Sequence, residues 1–242
     1  MQHYFVKKVN DQFVLDDADF HHVKNVMRMK SKDQLVCIYN QKSYLCEINF
    51  SPVSYTISVI QELEESKELP IAIELYQALI KNDKFDFVVQ KATEIGVSKI
   101  IPTICARSII KVDATKQENK LQRYQKIMKE ACEQSRRTFI PQMSSYCYFK
   151  DIKLDSDTLG ILAYENQNQP QTLNLALKDI KNYKKVAIVI GPEGGFEENE
   201  VRSLMQKGFH CVSLGNRILR SETAAIYAMS VVAYTIEGAG NN

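Results

Sequence analysis

The sequence predicts an α/β protein in which a small, mainly β barrel precedes a larger domain built on a parallel sheet. Three observations carry that expectation. Short runs rich in β-branched and aromatic residues crowd positions 1–65, a charged stretch ending in Pro70 interrupts the chain, and beyond it strand-like and helix-like segments alternate. Alternation of this kind builds a parallel sheet with helices on both faces.

In the β-rich part the strand-like runs are His3–Val6, Gln12–Leu15, Leu35–Tyr39, Tyr44–Phe50 and Tyr55–Ile60. One helix interrupts them. Asp16 or Asp17 can cap it, Phe20, Val23 and Met27 follow at helical spacing, and His21, His22, Lys24, Arg28 and Lys30 occupy its other face. The segment Glu62–Pro70 reads as a linker, which places the domains at 1–69 and 70–242. Strand-like Ile71–Leu79 then precedes a helix over Phe85–Ile95, with Gly96 placed to end it. Strand-like Lys99–Cys105 follows, and a long basic helix over Lys116–Arg136 stops before Pro141. Strands at Leu159–Ala163, Val186–Ile190 and Cys211–Leu214 alternate with helices near 171–181, 197–207 and 222–237. The last helix is rich in Ala, Val and Ile, which predicts burial on nearly every side, in the core or against a second subunit.

Composition narrows the function classes. At 242 residues, 45% apolar and 25% charged, the chain can bury one or two cores without a metal or disulfide staple. Its six cysteines never form a CxxC pair, and with four histidines no zinc constellation emerges, so reduced thiols and no metal are expected. The N-terminus lacks a basic region followed by an apolar stretch, and no apolar run approaches a membrane span, so a cytoplasmic protein without a membrane partner is expected. The net charge of +2 is small but unevenly spread. Positions 105–140 hold nine Lys/Arg against four Asp/Glu, a candidate polyanion footprint or else a solvated helix face.

Chemistry is expected in the loops after the last three strands, because parallel sheets bind ligands at the carboxyl ends of their strands. These loops are Leu162–Ala163–Tyr164–Glu165, Gly191–Pro192–Glu193–Gly194–Gly195–Phe196, and Leu214–Gly215–Asn216–Arg217–Ile218–Leu219–Arg220. Three of the nine glycines fall within 191–195, where backbone must turn sharply or lie close to a ligand. The loop is neither a Walker A sequence nor a GxGxxG fingerprint, so a nucleotide-like ligand would be held differently. Ser221 is a good N-cap, which sets Arg220 at the positive end of a buried helix, a costly place for an unpartnered cation.

The stretches Ile190–Phe196 and Leu214–Ala224 resemble the bacterial methyltransferases that modify N3 of a uridine in 16S ribosomal RNA, members of the SPOUT (trefoil-knot) superfamily. The likeness extends to His22–Lys30, Lys81–Lys84, Gln90–Gly96, Ala106–Ser108 and Lys129–Ser135. It implies a PUA-like RNA-binding barrel followed by a knotted α/β domain that is a homodimer through its C-terminal helix. It further implies S-adenosylmethionine held by Leu162, Ala163, Tyr164, Glu165, Gly191, Pro192, Glu193, Gly194, Gly195, Leu214, Gly215, Asn216, Ile218 and Leu219. Arg220 and Glu222 become the polar residues nearest the chemistry. Arg220 suits stabilisation of a uracil anion, while Glu222 is either a proton acceptor or a helix-start carboxylate paired with the dipole or Arg217. RNA contacts are expected at His22, Arg28, Lys91, Arg107, Arg136 and Arg137, with 16S rRNA or the small ribosomal subunit as partner. Two departures stand out: His3 lies where the family often has arginine, and Asn216 where proline is usual. Two other readings stay open, a knotted methyltransferase acting on a different RNA atom and a non-catalytic ribosome-assembly factor.

Overall fold

The computed structural model describes residues 1–64, 67–108, 117–164 and 171–239. The chain forms two compact units, one of Met1–Glu68 with Lys129–Ile140 and one of Leu69–Met128 with Pro141–Asn242.

In the first unit, β1 (His3–Phe5), β4 (Asp33–Tyr39), β5 (Lys42–Phe50) and β6 (Tyr55–Leu63) form a four-stranded sheet in that order. β1 runs parallel to β4 and the other pairs are antiparallel. β2 (Lys7–Val9) and β3 (Gln12–Val14) form a separate hairpin. Asn40 and Gln41 join β4 to β5 with φ of 48° and 61°, the two-residue turn whose twist matches paired strands. Tyr4, Leu35, Cys37, Cys46, Ile48 and Ile57 bury their side chains around Val23.

The helix expected here is shorter than its spacing implies. Asp16 caps α1 (Asp17–His21), accepting from the Asp19 amide at 2.8 Å, but residues His22–Val26 then widen into a π turn. The Met27 amide reaches back five residues to the His22 carbonyl at 2.8 Å. That wider turn breaks the 3.6-residue spacing, and Met27 is 41% exposed instead of facing the core.

The last seven residues of α3 (Gln117–Ser135) and those after it, to Ile140, complete this unit. Lys129 Nζ lies 2.5 Å from Asp19, 3.0 Å from Asp16 and 3.3 Å from Glu133. Glu133 also accepts from the Phe5 amide at 3.1 Å. Burial, reinforced by Asp19, pushes the Glu133 carboxyl up to about 7 even though Lys129 opposes the rise. Arg136 ends α3 with φ of 62°, and the turn sends Arg137 inward. Arg137 is 3% exposed, its guanidinium 2.6 Å from Glu68, whose other oxygen accepts from the Thr138 and Phe139 amides. The expectation that Arg137 contacts RNA is therefore corrected: its donors serve this internal carboxylate. Lys129 is likewise internal, while Lys111 and Lys116 of the basic stretch lie outside the described residues.

The second unit is an eight-stranded sheet in which every pairing is parallel. Its order is β10 (Cys147–Tyr148), β8 (Lys99–Ile104), β7 (Ala72–Ala78), β13 (Lys185–Ile190), β11 (Thr158–Ala163), β14 (His210–Ser213), β12 (Gln171–Thr172), with β9 (Gln142–Met143) also on β8. α2 (Asn82–Ile95) ends at Gly96 with φ of 110°, as its position predicts. The helix expected near 171–181 is broken: Thr172 caps α4 (Leu173–Ala176), and a 3-10 turn at Ile180–Asn182 follows. Asp179 and Asn182, poor helix formers, close that turn through the Asn182 amide and Asp179 carbonyl at 3.0 Å.

β14 lies on the far side of β11 from β13, yet α6 (Ser221–Ala239) packs on α2 and β13. Residues 214–220 therefore carry the chain back across the carboxyl ends of two strands. Ala225, Ala228, Met229, Val232 and Ile236 bury one face of α6, whereas Tyr227 is exposed and Tyr234 is 79% exposed. Within one chain, burial of the helix is thus one-sided.

Candidate active site

The three loops singled out by composition meet. A cavity of about 220 Å³ opens at the carboxyl ends of β11, β13 and β14, lined from the first loop by Ala163 and Tyr164. Gly191, Pro192, Glu193 and Gly195 line it from the second loop, and Leu214, Gly215, Ile218, Leu219 and Arg220 from the third. Arg217, Ser221, Ala224, Ile190 and Phe196 complete the wall.

Backbone conformation favours glycine at two of these positions. Gly195 has φ of 69° and Gly215 φ of 114°, and a Cβ built on either meets nothing within 4 Å. Both backbones thus edge open space, the arrangement expected where a ligand lies on the main chain. Gly194 differs: a Cβ there would sit 3.4 Å from the Arg107 Cβ, and the residue does not line the cavity. Leu162 is fully buried in β11, and Asn216 is exposed outside the lining. None of these three expected contacts lines the cavity. Glu165 lies outside the described residues.

The walls are tied together by hydrogen bonds. The Ser221 hydroxyl donates to the Gly191 carbonyl at 2.6 Å and accepts from Gln77 Nε2 at 2.9 Å. It therefore joins the first residue of α6 to the second loop and does not act as the N-cap expected of it, since Arg220 supplies the first accepting carbonyl. Arg107 Nη1 donates to the Gly194 carbonyl at 3.2 Å, and Glu200 accepts from the Ala106 amide at 2.8 Å while closing a capping box with Glu197.

The charged residues divide. Arg220 is exposed on the lining, and its guanidinium has no ion pair or hydrogen bond among the described residues. Exposure explains how it sits at a helix start without a partner: water solvates what the low dielectric would not. Glu222 stands outside the lining and pairs with Lys84 at 3.3 Å, not with Arg217, and its second oxygen is buried without a partner. Lys84 also reaches Glu193 at 3.2 Å, and that hydrogen bond, with help from Glu222, holds its ammonium above the ordinary lysine range.

Two residues at this site escaped sequence reasoning. Gln77 is a fully buried amide in an otherwise apolar strand, a signal that was available. Lys84 lay in the Lys81–Lys84 run of the resemblance, but nothing in its spacing linked it to positions 193 and 222.

The expected RNA contacts differ in what they touch. His22 Nδ1 lies 2.8 Å from the Tyr4 hydroxyl, Lys91 pairs with Glu94 at 2.8 Å, and Arg28, Arg107 and Arg136 are exposed. Among the described residues no His, Cys, Asp or Glu triplet could hold a metal, and no helix is long and apolar enough to cross a membrane. All six cysteines are free thiols.

Residues 67–233 match the family model of the RNA methyltransferase domain, and residues 15–51 that of the RNA methyltransferase PUA domain. The chain is 34% identical to ribosomal RNA small subunit methyltransferase E of Bacillus subtilis, over 98% of each chain. It superposes on ribosomal RNA small subunit methyltransferase E from Neisseria gonorrhoeae bound to S-adenosyl methionine with a TM-score of 0.83, 27% identity and 97% of each chain covered. A putative methyltransferase from Legionella pneumophila, solved with bound SAM, gives 0.82, 29% and 97% of each chain.

Proposed function

The chain belongs to the RNA methyltransferase family that includes ribosomal RNA small subunit methyltransferase E, and from that we propose that it transfers a methyl group from S-adenosylmethionine to N3 of a uridine in 16S ribosomal RNA. The observation that carries this reading is the cavity itself. Glycine backbones at 195 and 215 edge open space on one side, and an exposed guanidinium at 220 stands on the same wall.

The residues present suit the cofactor. Ala163, Tyr164, Ile218 and Leu219 supply apolar surface, and the 191–195 and 214–215 backbone supplies close approach. When bound, S-adenosylmethionine provides an electrophilic methyl group. Uridine N3 must give up its proton to solvent before it can accept that methyl, which spreads negative charge onto O2 and O4. In this reading Arg220 stabilises that charge, because it keeps its own proton and presents a planar fork of donors. The ribosomal RNA backbone is met by the exposed Arg28, Arg107 and Arg136, with residues 1–69 as the RNA-binding domain and 70–242 as the methyltransferase domain. A second copy of the chain covers Tyr227 and Tyr234 on α6, and the protein works on the small subunit in the cytoplasm.

Mass spectrometry of 16S rRNA from cells with and without the protein tests the proposal. Loss of a single N3-methyluridine is expected. A different methylated base would reassign the target, and unchanged RNA would leave a binding role only.

A further inference from the structure

We propose that Lys84 is a positioning residue of the cofactor cavity, holding the Glu193 carboxylate on the lining with Glu222 as the anchor behind it. This rests on the reading of the cavity as an S-adenosylmethionine site.

Glu193 sits in a loop with three glycines in five residues, the kind of backbone that leaves a side chain free to swing. It is nevertheless held from one side. Lys84, in the first turn of α2, reaches its Oε1 at 3.2 Å, and Glu222, in the first turn of α6, takes the same ammonium at 3.3 Å. Glu222 is the more buried of the two carboxylates, 15% exposed against 32%, so it is the fixed end and Glu193 the presented one. The Gly195 amide donates to the Pro192 carbonyl at 2.9 Å, which closes the loop around Glu193. The three side chains together carry one net negative charge beside the cavity. S-adenosylmethionine is a sulfonium cation with an ammonium group, and a carboxylate held on the wall attracts that charge without first having to be ordered. The ion pairs thus join α2, the second loop and α6 into one frame for the cationic ligand.

Titration calorimetry of S-adenosylmethionine with the full-length protein and its variants tests this. Lys84→Met and Glu193→Gln should each weaken binding by about tenfold or more, the loss expected of a charged hydrogen bond. The double variant should be no weaker than Glu193→Gln within about twofold, because Lys84 acts through Glu193. Lys84→Arg should recover most of the affinity, and thermal melts should show all variants folded. If Lys84→Met does not fold, Glu193→Gln with Glu222→Gln gives the same cycle, since those two carboxylates meet only through Lys84 among the described residues. Multiplicative losses in either cycle, or wild-type affinity in Lys84→Met, overturn the proposal. A wild-type protein that binds no S-adenosylmethionine would sink the cofactor reading itself, a distinct result.

Discussion

Replacing Arg220 by alanine separates chemistry from stability, because the structure gives the residue so little structural employment. It is exposed and unpartnered among the described residues, so its loss strands no buried charge. Surface changes of this kind stay within about ±0.5 kcal/mol, or roughly 1–2 °C in melting temperature for a chain of this size. The effect on rate should be far larger. Deleting a preorganised donor to a developing anion costs ~10²–10³ in kcat, about 2.7–4 kcal/mol. Lysine keeps the charge but not the planar fork, so Arg220→Lys should recover part of the rate. The assay is single-turnover methylation of 30S subunits at saturating S-adenosylmethionine, read beside cofactor affinity, melting temperature and mass in solution. Wild-type turnover in Arg220→Ala removes the residue from the mechanism. A slow variant that has also lost several degrees of stability or its oligomeric state would assign Arg220 to architecture instead.

Glu133 makes the first unit sensitive to pH. Its carboxyl is raised from 4.5 to about 7, so the stability linked to its proton is full below 4.5 and lost as pH rises through 7, by ~3 kcal/mol at most. Urea unfolding at pH 5 and pH 8 should show that difference, and Glu133→Gln should flatten it; an unchanged slope would refute the assignment. Ser221→Ala removes the donor to Gly191 and the acceptor of Gln77, which should cost about 1–3 kcal/mol in melts and weaken cofactor binding. Arg136→Ala should lower the salt slope of RNA binding by ~0.7–0.9 without loss of stability. Arg137→Ala, its neighbour, should instead destabilise by about 1–3 kcal/mol through loss of its charged hydrogen bonds to Glu68. Tyr234→Asp should yield monomers in sedimentation if a second copy covers that face of α6.

Much of the fold was legible because it is written in local signals. The change from short β runs to alternating strands and helices marks the parallel sheet, and Gly96 and Asp16 mark helix ends by the conformations they favour. The π turn at His22–Val26 was not legible, since apolar residues at helical spacing do not record whether the backbone keeps that spacing. Nor could the pattern of α3 divulge that Lys129 serves a buried carboxylate cluster while Lys120 and Arg123 remain on the other unit. Arg136 and Arg137 are the sharpest case. They are identical in type and adjacent in sequence, yet one positive φ leaves the first in solvent and turns the second into the interior.

The site was legible in its loops and opaque in its supports, and the reason is geometric. In a parallel sheet, loops after neighbouring strands converge, so β11, β13 and β14 bring unusual compositions together once their pairing is known. Glycine and proline announce such loops because their backbone demands are intrinsic. Gln77 and Lys84 have no intrinsic demand. They enter from β7 and α2, more than a hundred residues before their partners in the chain, and become legible only when the crossover at 214–220 returns α6 to β13. The start of α6 also explains why Glu222 stands off the lining. Its sequence neighbours Ser221 and Ala224 face the cavity, but a helix turns each successive residue by about 100°, and that rotation carries the Glu222 carboxylate off the lining and onto Lys84.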